Sequence, residues 1–579
     1  MSQKLSGAQI LVESLLRENV EVVFGLPGGQ ALPIFDAIHG SKLNFILTRH
    51  EQAAGHMADG YARSTGKTGV CIVTSGPGAT NIVTPLATAY MDSAPIVVFS
   101  GQVSTAVIGQ DAFQEADITG ITRPITKHNF LVKDVKDLAR AIKEAFYIAS
   151  TGRPGPVLVD IPIDVQRAIT EFKYPEKVNI RSYKPTYQGH AGQIKRAAET
   201  INKSEKPVLY IGTGVVVSNA QDEVLEISQK AQIPVTNTLL AVGAYPSGLE
   251  LSLGMLGMHG AFCANRAVQA SDVIIAVGAR FDDRCTGKIC DFARNAKIIH
   301  IDIDPTSISK VVETDLPVVG DAKTILKELA PLIQNKKRTS WLKEIDAWKA
   351  EHTFNYEKND DKLHPQYIIE TISNFTKGEA IIATEVGQHQ MWAAQYYKAK
   401  SSRLFLSSGG LGTMGFGYPA GIGAKFGNPD KEVVVIAGDG SFQMNMQEMA
   451  VAVLNQANVK VVIINNQYLG NVRQWQEMFY GKRYSNVCLA KRPVCPPLCN
   501  KPDRNTCPVY VPDFVKWAQS YGVLGIRVSK KEEVEPAIKK MLETNASVVL
   551  DCWVEIEENI FPMVPAGASL DDIITRING

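Results

Sequence analysis

Two polar side chains follow two successive apolar strands in the last third of the chain. The first strand ends in Gly-Asp-Gly-Ser at 438–441, an amphipathic helix is predicted at about 444–455, and the next strand ends in Asn-Asn at 465–466. Because strand–helix–strand units are right-handed, the carboxyl ends of the two strands lie side by side, at the edge where α/β sheets bind ligands. Carboxylate and amide oxygens suit Mg²⁺, which shares phosphate oxygens. The pattern predicts a magnesium–diphosphate site at Asp439 and Asn466.

The glycines of this turn let the backbone approach a diphosphate, and the following helix start offers N–H donors. A tight turn with a helix-capping aspartate is the alternative for Gly-Asp-Gly alone. The Asn-Asn pair at the next strand end favours the ligand site.

A second carboxylate, Glu51, follows the predicted strand 45–48 in the first turn of a helix. An acidic residue at this position is commonly only a favourable partner for the helix dipole. An apolar setting would instead raise its pKa and let it share a proton with a ligand. The residue types alone leave both roles open.

Three blocks of the chain alternate strand-like and helix-like patterns, which is typical of open, doubly wound α/β domains with mainly parallel sheets. A polar stretch at 172–190 and a charged stretch at 336–362 predict linkers. We therefore expect an N-terminal domain at 1–180, a middle domain at 190–335 and a C-terminal domain at 365–579.

The charge balance excludes some classes of function. The chain has 60 basic and 59 acidic residues, so no overall charge favours binding to nucleic acid or to an anionic membrane. No apolar stretch is long enough to span a bilayer, and the N-terminus lacks the apolar core of a signal peptide. We expect a cytoplasmic protein.

Four of the nine cysteines lie close together, at Cys488, Cys495, Cys499 and Cys507. This insert, 488–507, resembles a set of thiolate ligands on a stiff, proline-rich loop, for which zinc or an iron–sulfur cluster would be suitable. The spacing matches no standard motif, so disulfides and free thiols are the alternatives.

The pairing of Gly-Asp-Gly with Asn-Asn resembles the signature of thiamine-diphosphate enzymes. Nearly the whole chain is similar to the large catalytic subunits of the acetohydroxyacid (acetolactate) synthase family, of the FAD-containing biosynthetic type. The motifs that carry the similarity lie at 26–29, 109–115, 127–129, 152–156, 254–260, 278–284, 385–392, 409–416 and 472–476.

The resemblance implies a pyrimidine-binding N-terminal domain, an FAD-associated middle domain and a C-terminal domain for diphosphate and Mg²⁺. Asp439, Asn466 and the backbone carbonyl of Tyr468 would hold Mg²⁺, and Glu51 would activate the aminopyrimidine ring. The other thiamine-diphosphate contacts that it implies are Pro77, Asn81, Val386, Gln388, His389, Gly412, Met414, Gly438, Gly440, Ser441, Leu469 and Gly470.

The same resemblance implies substrate and flavin contacts. Gly29, Phe113 and Gln114 would line the reaction site. Arg284 and Trp475 would form the pocket for the second keto acid, although a salt-bridge arginine and an interface tryptophan are the alternatives. A structural FAD would contact Arg153, Met258, His259, Arg280, Asp302 and Asp321.

The implied reaction decarboxylates pyruvate and transfers the hydroxyethyl unit to a second pyruvate or to 2-ketobutyrate, in branched-chain amino-acid biosynthesis. Glu51 of one subunit would face the diphosphate site of another, which implies a homodimer or homotetramer, often with a small regulatory subunit. A thiamine-diphosphate/FAD pyruvate oxidase, another 2-keto acid carboligase and an inactive regulatory homologue are the alternatives.

The sequence departs from the family pattern at four positions: Gln30, Ile163, Asn471 and Glu385 stand where Ala, Lys, Met and Asp are usual. We expect the loss of the lysine at Ile163 and the longer polar side chain of Gln30 to affect keto-acid preference or sensitivity to channel-blocking herbicides. They spare Glu51, so the core chemistry should be retained.

Overall fold

The computed structural model describes residues 3–358, 360–496, 499, 503–504 and 506–576. Three six-stranded sheets, each with parallel strands throughout, form the framework. Helices cover both faces of each sheet, so most strands are buried along their whole length, as parallel sheets require.

The first sheet belongs to the N-terminal block. Its strands, in spatial order, are Asn44–Leu47, Val22–Gly25, Gly69–Val73, Ile96–Gln102, Val157–Pro162 and His128–Leu131. A small antiparallel pair joins Lys4–Ser6 to Ile169–Glu171. The helices of this block are Gly7–Arg17, Leu32–Ile38, Glu51–Thr65, Pro77–Thr80, Val83–Asp92, Ile118–Thr122, Val135–Ser150 and Ile163–Arg167.

The second sheet belongs to the middle block. Its strands, in spatial order, are Ser252–Met255, Val235–Asn237, Pro207–Ile211, Val273–Val277, Lys297–Asp302 and Leu316–Val319. The helices here are Ala191–Lys203, Thr213–Ser218, Gln221–Ala231, Phe262–Ala270, Asp283–Thr286 and Ala322–Leu329.

The third sheet belongs to the C-terminal block. Its strands, in spatial order, are Phe405–Leu406, Ile381–Thr384, Val433–Gly438, Lys460–Asn465, Val548–Trp553 and Leu524–Val528. The helices are Pro365–Thr376, Gln388–Tyr396, Gly417–Gly427, Asp439–Phe442, Met449–Leu454, Gly470–Phe479, Phe514–Ser520 and Val534–Glu543.

The charged stretch between the second and third sheets contains a helix that the sequence did not predict. This helix, Thr339–Glu351, packs on the middle block through Trp341 and Ile345, which are almost fully buried. The Trp341 indole donates a hydrogen bond to the Pro207 carbonyl at 3.1 Å. The prediction that all of 336–362 is a linker was therefore wrong at this helix. Its few apolar residues lie on one side and pack on the middle block.

The N-terminal and C-terminal blocks pack closely through two helices, Glu51–Thr65 and Gly417–Gly427. A Cβ atom at Gly60 would lie 2.1 Å from the Ala420 carbonyl oxygen, and one at Gly423 would lie 1.9 Å from that of Met57. Only glycine permits this approach of the backbones. The Glu51 helix is therefore fixed against the C-terminal block of its own chain.

No helix in the described ranges is both long and apolar enough to cross a membrane.

Candidate active site

Asp439 and Asn466 lie at the ends of neighbouring strands, as the sequence predicts. Val433–Gly438 and Lys460–Asn465 pair in parallel, with Gly438 opposite Ile464. The Asp439 side chain is buried, and neither carboxylate oxygen has a hydrogen-bond partner among the described residues. Burial raises the pKa of Asp439 to about 7. A buried, unpartnered carboxylate calls for a cation, so the residues present fit a divalent metal ion.

A hydrogen-bond chain holds Asn466. Its Nδ2 donates to Gln388 Oε1 at 3.2 Å, and its Oδ1 accepts from the Tyr468 backbone N–H at 3.1 Å. Gln388 Nε2 in turn donates to Gln474 Oε1 at 3.0 Å and to the Glu558 carbonyl at 3.0 Å. The metal-site loop is thus tied to the helix Gly470–Phe479, which carries Trp475.

Close neighbours favour glycine on both sides of Asp439. A Cβ atom at Gly438 would lie 2.7 Å from His389 Cε1, and one at Gly440 would lie 3.1 Å from Leu469 Cδ2. Ser441 Oγ donates to the Gly438 carbonyl at 3.3 Å. Burial lowers the pKa of His389 to about 3, so its ring is a neutral donor or acceptor beside this turn. The glycine-rich turn suits a diphosphate.

Gly470, another predicted contact, begins the helix Gly470–Phe479. A Cβ atom there would lie 2.1 Å from Gln388 Oε1 and 2.9 Å from Asn466 Nδ2. A side chain at Gly470 would therefore break the hydrogen bond between those two residues.

Glu51 begins the helix Glu51–Thr65 and is buried. Its Oε2 accepts a hydrogen bond from Asn81 Nδ2 at 2.9 Å. Its Oε1 lies 3.4 Å from a Cβ built at Gly78, in the short helix that begins at Pro77. The Glu51 carboxylate therefore has a side-chain partner in Asn81. Its role is more than that of a partner for the helix dipole.

Gln114 and Gly29 lie along the same edge of the first sheet. The Gln114 carbonyl would be 2.8 Å from a Cβ at Gly76, whose φ is +55°. A Cβ at Gly29 would meet open space. Phe113 is 84% exposed in the single chain.

A cavity of about 840 Å³ joins the middle block to the other two. This volume is in the range for cofactor sites. All of the predicted FAD contacts line it, together with several predicted cofactor and substrate contacts: Arg153, Met258, His259, Arg280, Asp302, Asp321, Val386, Gly412, Arg284 and Trp475. In a single chain the cavity wall does not include Glu51, Phe113, Gln114, Met414, Asp439 or Asn466.

The charged groups of this cavity suit an anionic dinucleotide. Arg153 pairs with Asp304 at 3.3 Å and donates from Nε to Ser93 Oγ at 2.8 Å. Burial and then the nearby Arg153 lower the pKa of Arg280, so the two guanidinium groups lie close enough to repel each other. A diphosphate between them would relieve that repulsion.

Other predicted flavin contacts are engaged within the protein. Asp321 caps the helix Ala322–Leu329 by accepting from the Thr324 N–H at 3.0 Å, and Asp302 accepts from the Asp304 N–H at 2.8 Å. Burial lowers the pKa of His259 to about 4. A neutral imidazole in the cavity wall suits a flavin ring better than a charged one.

Arg284 and Trp475 lie on the wall of the same cavity. The Arg284 side chain is 55% exposed and forms a weak pair with Asp283 at 3.8 Å. An arginine with such a loose partner is available to a substrate carboxylate. The structure brings these two predicted substrate residues together with Val386 and Gly412, whose backbone adopts a φ of +72°.

The four departures from the family pattern lie in different surroundings. Asn471 lines the cavity. Ile163 begins a helix, and the Gln30 carbonyl accepts from Gln166 Nε2 at 2.7 Å. The buried Glu385 accepts from the Gly415 and Tyr418 backbone N–H groups at 2.6 and 3.0 Å, and burial raises its pKa to about 7.

The metal site predicted at the cysteine insert has no counterpart among the residues that the structure describes. Within the described part of the chain, no group of three or more His, Cys, Asp or Glu side chains is arranged to hold a metal ion. The thiols of Cys488, Cys495, Cys499 and Cys507 are free. Cys495 Sγ accepts a hydrogen bond from the Arg492 backbone N–H within its own turn, whereas Cys488, Cys499 and Cys507 lie near the Tyr468 side chain.

Comparison with known proteins decides the family. Three models match: the N-terminal thiamine pyrophosphate (TPP) binding domain of thiamine pyrophosphate enzymes at 5–121, their central domain at 194–329 and their C-terminal TPP binding domain at 385–552. The acetolactate synthase isozyme 3 large subunit of Escherichia coli (strain K12) is 45% identical over 99% of this chain and 98% of its own length. This chain belongs to the acetolactate synthase large-subunit family of thiamine pyrophosphate enzymes.

Two further relatives agree. The acetolactate synthase large subunits of Haemophilus influenzae and Corynebacterium glutamicum are 45% and 47% identical over 99% of this chain, and over 98% and 90% of their own lengths. The predictions of three α/β domains and of a thiamine-diphosphate-dependent acetolactate synthase are confirmed.

Several residues around the site could not be predicted from the sequence. Glu448 is buried, and both of its carboxylate oxygens accept from the Arg49 backbone N–H at 3.2 Å, just before Glu51. Gln443, Arg504 and Tyr510 lie near Asp439 and Asn465 and were likewise not predicted. No local pattern marks them, because their contacts form between distant segments.

Proposed function

We propose that the protein decarboxylates pyruvate and transfers the resulting two-carbon unit to a second pyruvate or to 2-ketobutyrate. The observation that carries this proposal is the buried Asp439 carboxylate, unpartnered beside Asn466 at adjacent strand ends, in a chain of the acetolactate synthase family. Asp439, Asn466 and the Tyr468 carbonyl would bind Mg²⁺ and through it the diphosphate.

Thiamine diphosphate, when bound, would supply an acidic carbon whose conjugate base is a nucleophile for the keto group of pyruvate, and a cationic ring as the electron sink for loss of carbon dioxide. Glu51 would exchange a proton with the aminopyrimidine ring. Because Asn81 fixes its Oε2, we expect Oε1 to carry that proton. Gly29, Phe113 and Gln114 would border the reacting groups.

Arg284 would bind the carboxylate of the second keto acid, and Trp475 would contact its alkyl group. Both lie on the wall that also holds the proposed FAD contacts. FAD would connect the middle block to the site as a structural group. Arg153, Arg280 and the cavity volume support this assignment. Binding of a substrate carboxylate by Arg284 needs no electron from the flavin.

The assembly and the location are also proposals. Glu51 and Asp439 do not share the large cavity of one chain, and Phe113 is exposed, so we propose that two subunits complete each site in a cytoplasmic homodimer or homotetramer. A small regulatory subunit is a further proposed partner. The proposed domains are 1–180, 190–335 and 365–579, with the helix Thr339–Glu351 packed on the middle one.

The test is a product assay on purified protein with Mg²⁺, thiamine diphosphate, FAD and pyruvate, with and without 2-ketobutyrate. We expect acetolactate, detected as acetoin after acid treatment, and a second product when 2-ketobutyrate is added. Acetate with dye reduction would identify a pyruvate oxidase instead. No turnover in the presence of all cofactors would overturn the proposal.

A further inference from the structure

The described residues of 487–510, which surround the cysteine insert and are called the insert segment here, lie against the proposed metal site. Tyr468 and Cys488 form an isolated antiparallel bridge. The Leu469 N–H donates to the Val487 carbonyl at 2.9 Å, and the Leu489 N–H donates to the Gln467 carbonyl at 2.9 Å. The insert segment therefore fixes the backbone of the loop that would supply the third metal ligand.

Arg504, in the middle of the insert segment, reaches the strand ends of the third sheet. Its Nη2 donates to the Asn465 carbonyl at 2.6 Å and to the Val554 carbonyl at 2.8 Å. The guanidinium lies 5.2 Å from the ring centre of Trp553, and its buried Nη1 has no partner among the described residues. The hydrogen bond to Asn465 fixes the residue next to Asn466. The Nη1 group remains as a cationic donor near the site.

Tyr510, at the end of the insert segment, lies beside Asp439. Gln443 Nε2 donates to the Tyr510 hydroxyl at 3.0 Å and to the Asp439 backbone carbonyl at 3.0 Å. The Tyr510 side chain is buried, with its ring 6.2 Å from that of Phe514. Gln443 thus links the Tyr510 hydroxyl to the backbone of Asp439.

We propose that the insert segment is part of the metal and diphosphate site, with Tyr510 and Arg504 as positioning residues for Asp439 and Asn466. This inference rests on the proposed function. The insert segment contacts the loop or strand end of every proposed ligand: Tyr510 beside Asp439, Arg504 at Asn465, and Cys488 at Tyr468. The unpartnered Asp439 oxygens are the independent sign that a ligand belongs there.

The experiment compares Tyr510→Phe and Arg504→Met with two matched controls in exposed positions just before the insert, Tyr480→Phe and Arg483→Met. Each protein is freed of cofactors and titrated with Mg²⁺ at fixed thiamine diphosphate. The readouts are the rise in melting temperature and the Mg²⁺ concentration for half-maximal activity. Far-ultraviolet circular dichroism of the cofactor-free proteins checks folding.

We expect Tyr510→Phe and Arg504→Met to raise the Mg²⁺ concentration for half-saturation roughly tenfold or more, because groups that orient metal ligands commonly have effects of this size. The controls should match the wild-type protein. Arg504→Lys, which keeps the charge, should recover part of the loss even where Arg504→Met lowers the cofactor-free melting temperature. Equal Mg²⁺ dependence in all variants and controls would overturn the inference.

Failure of the proposed function would look different. Wild-type protein would then show neither stabilisation by Mg²⁺ with thiamine diphosphate nor product from pyruvate. If the wild-type protein binds its cofactors and turns over pyruvate, but Tyr510→Phe and Arg504→Met have the same Mg²⁺ dependence as the wild type, only the role of the insert segment is overturned.

Discussion

Gln388 accepts a hydrogen bond from Asn466 Nδ2 at 3.2 Å and donates one to Gln474 at 3.0 Å. One buried side chain thus joins the proposed metal loop to the helix of Trp475. Gln388→Leu should weaken Mg²⁺ binding roughly tenfold and lower kcat, since both ends of the link lose their partner. Mg²⁺ titration of activity checks this expectation. A variant with wild-type Mg²⁺ affinity would show that Asn466 needs no such support.

Glu51→Gln removes the proton donor but keeps the hydrogen bond from Asn81 possible. We expect kcat to fall by about two orders of magnitude or more, the range for loss of a general acid or base. Binding of thiamine diphosphate with Mg²⁺, measured by melting temperature, should change little. A loss of activity below tenfold would contradict the proposed role.

Trp475→Leu tests the substrate wall. Because leucine offers less apolar surface to the alkyl group of the substrate than tryptophan, we expect the variant to prefer 2-ketobutyrate over pyruvate about tenfold less than the wild type does. This change is within the range that apolar contacts allow. Competition between the two keto acids measures the ratio. The same ratio in variant and wild type would place Trp475 outside the pocket; Phe479→Leu, on an exposed residue of the same helix, is the control.

The buried Asp160, in the first sheet, should make the stability of the folded protein depend on pH. Its carboxylate accepts from Ser100 Oγ at 2.7 Å and Gln102 Nε2 at 3.0 Å, yet burial raises its pKa to about 7. A raised folded-state pKa means that the native state holds an extra proton, so stability is lost as pH rises from about 4 to 7.

Asp160→Asn should remove this loss. Relative to Asp160→Asn, the free energy of unfolding of the wild-type protein should fall by up to about 4 kcal/mol over that window. Denaturant-induced unfolding of both cofactor-free proteins at several pH values measures this difference. The contributions of the other titrating groups are the same in both proteins and cancel. Parallel pH profiles would show that Asp160 is ionised throughout.

The strand ends at Asp439 and Asn466 could be predicted from sequence, because apolar runs and glycine-bounded turns are local signals. The helix predicted at about 444–455 was only partly right. The structure has short helices at Asp439–Phe442 and Met449–Leu454. Between them, Asn445 Nδ2 donates to the Gly415 carbonyl at 2.7 Å, and this long-range contact interrupts the helix.

The contacts of Glu448 with Arg49 and of Arg504 with Asn465 could not be predicted, because they join segments that are far apart in the chain. From sequence, the insert could bind its own metal, form disulfides or carry free thiols. That Arg504 and Tyr510 contact the strand end at Asn465 and the turn at Asp439 could not be predicted. A count of cysteines does not show which neighbour a loop packs on.

The most direct measurement combines two inactive variants, Glu51→Gln and Asp439→Asn, in mixed oligomers. If each site takes Glu51 from one subunit and Asp439 from the other, hybrid dimers contain one intact site, and random mixing should restore about a quarter of wild-type activity. Refolding the two variants together and assaying acetolactate gives the answer. If mixed oligomers form and activity stays at the level of the separate variants, the two carboxylates do not meet across subunits, and the proposed site is wrong.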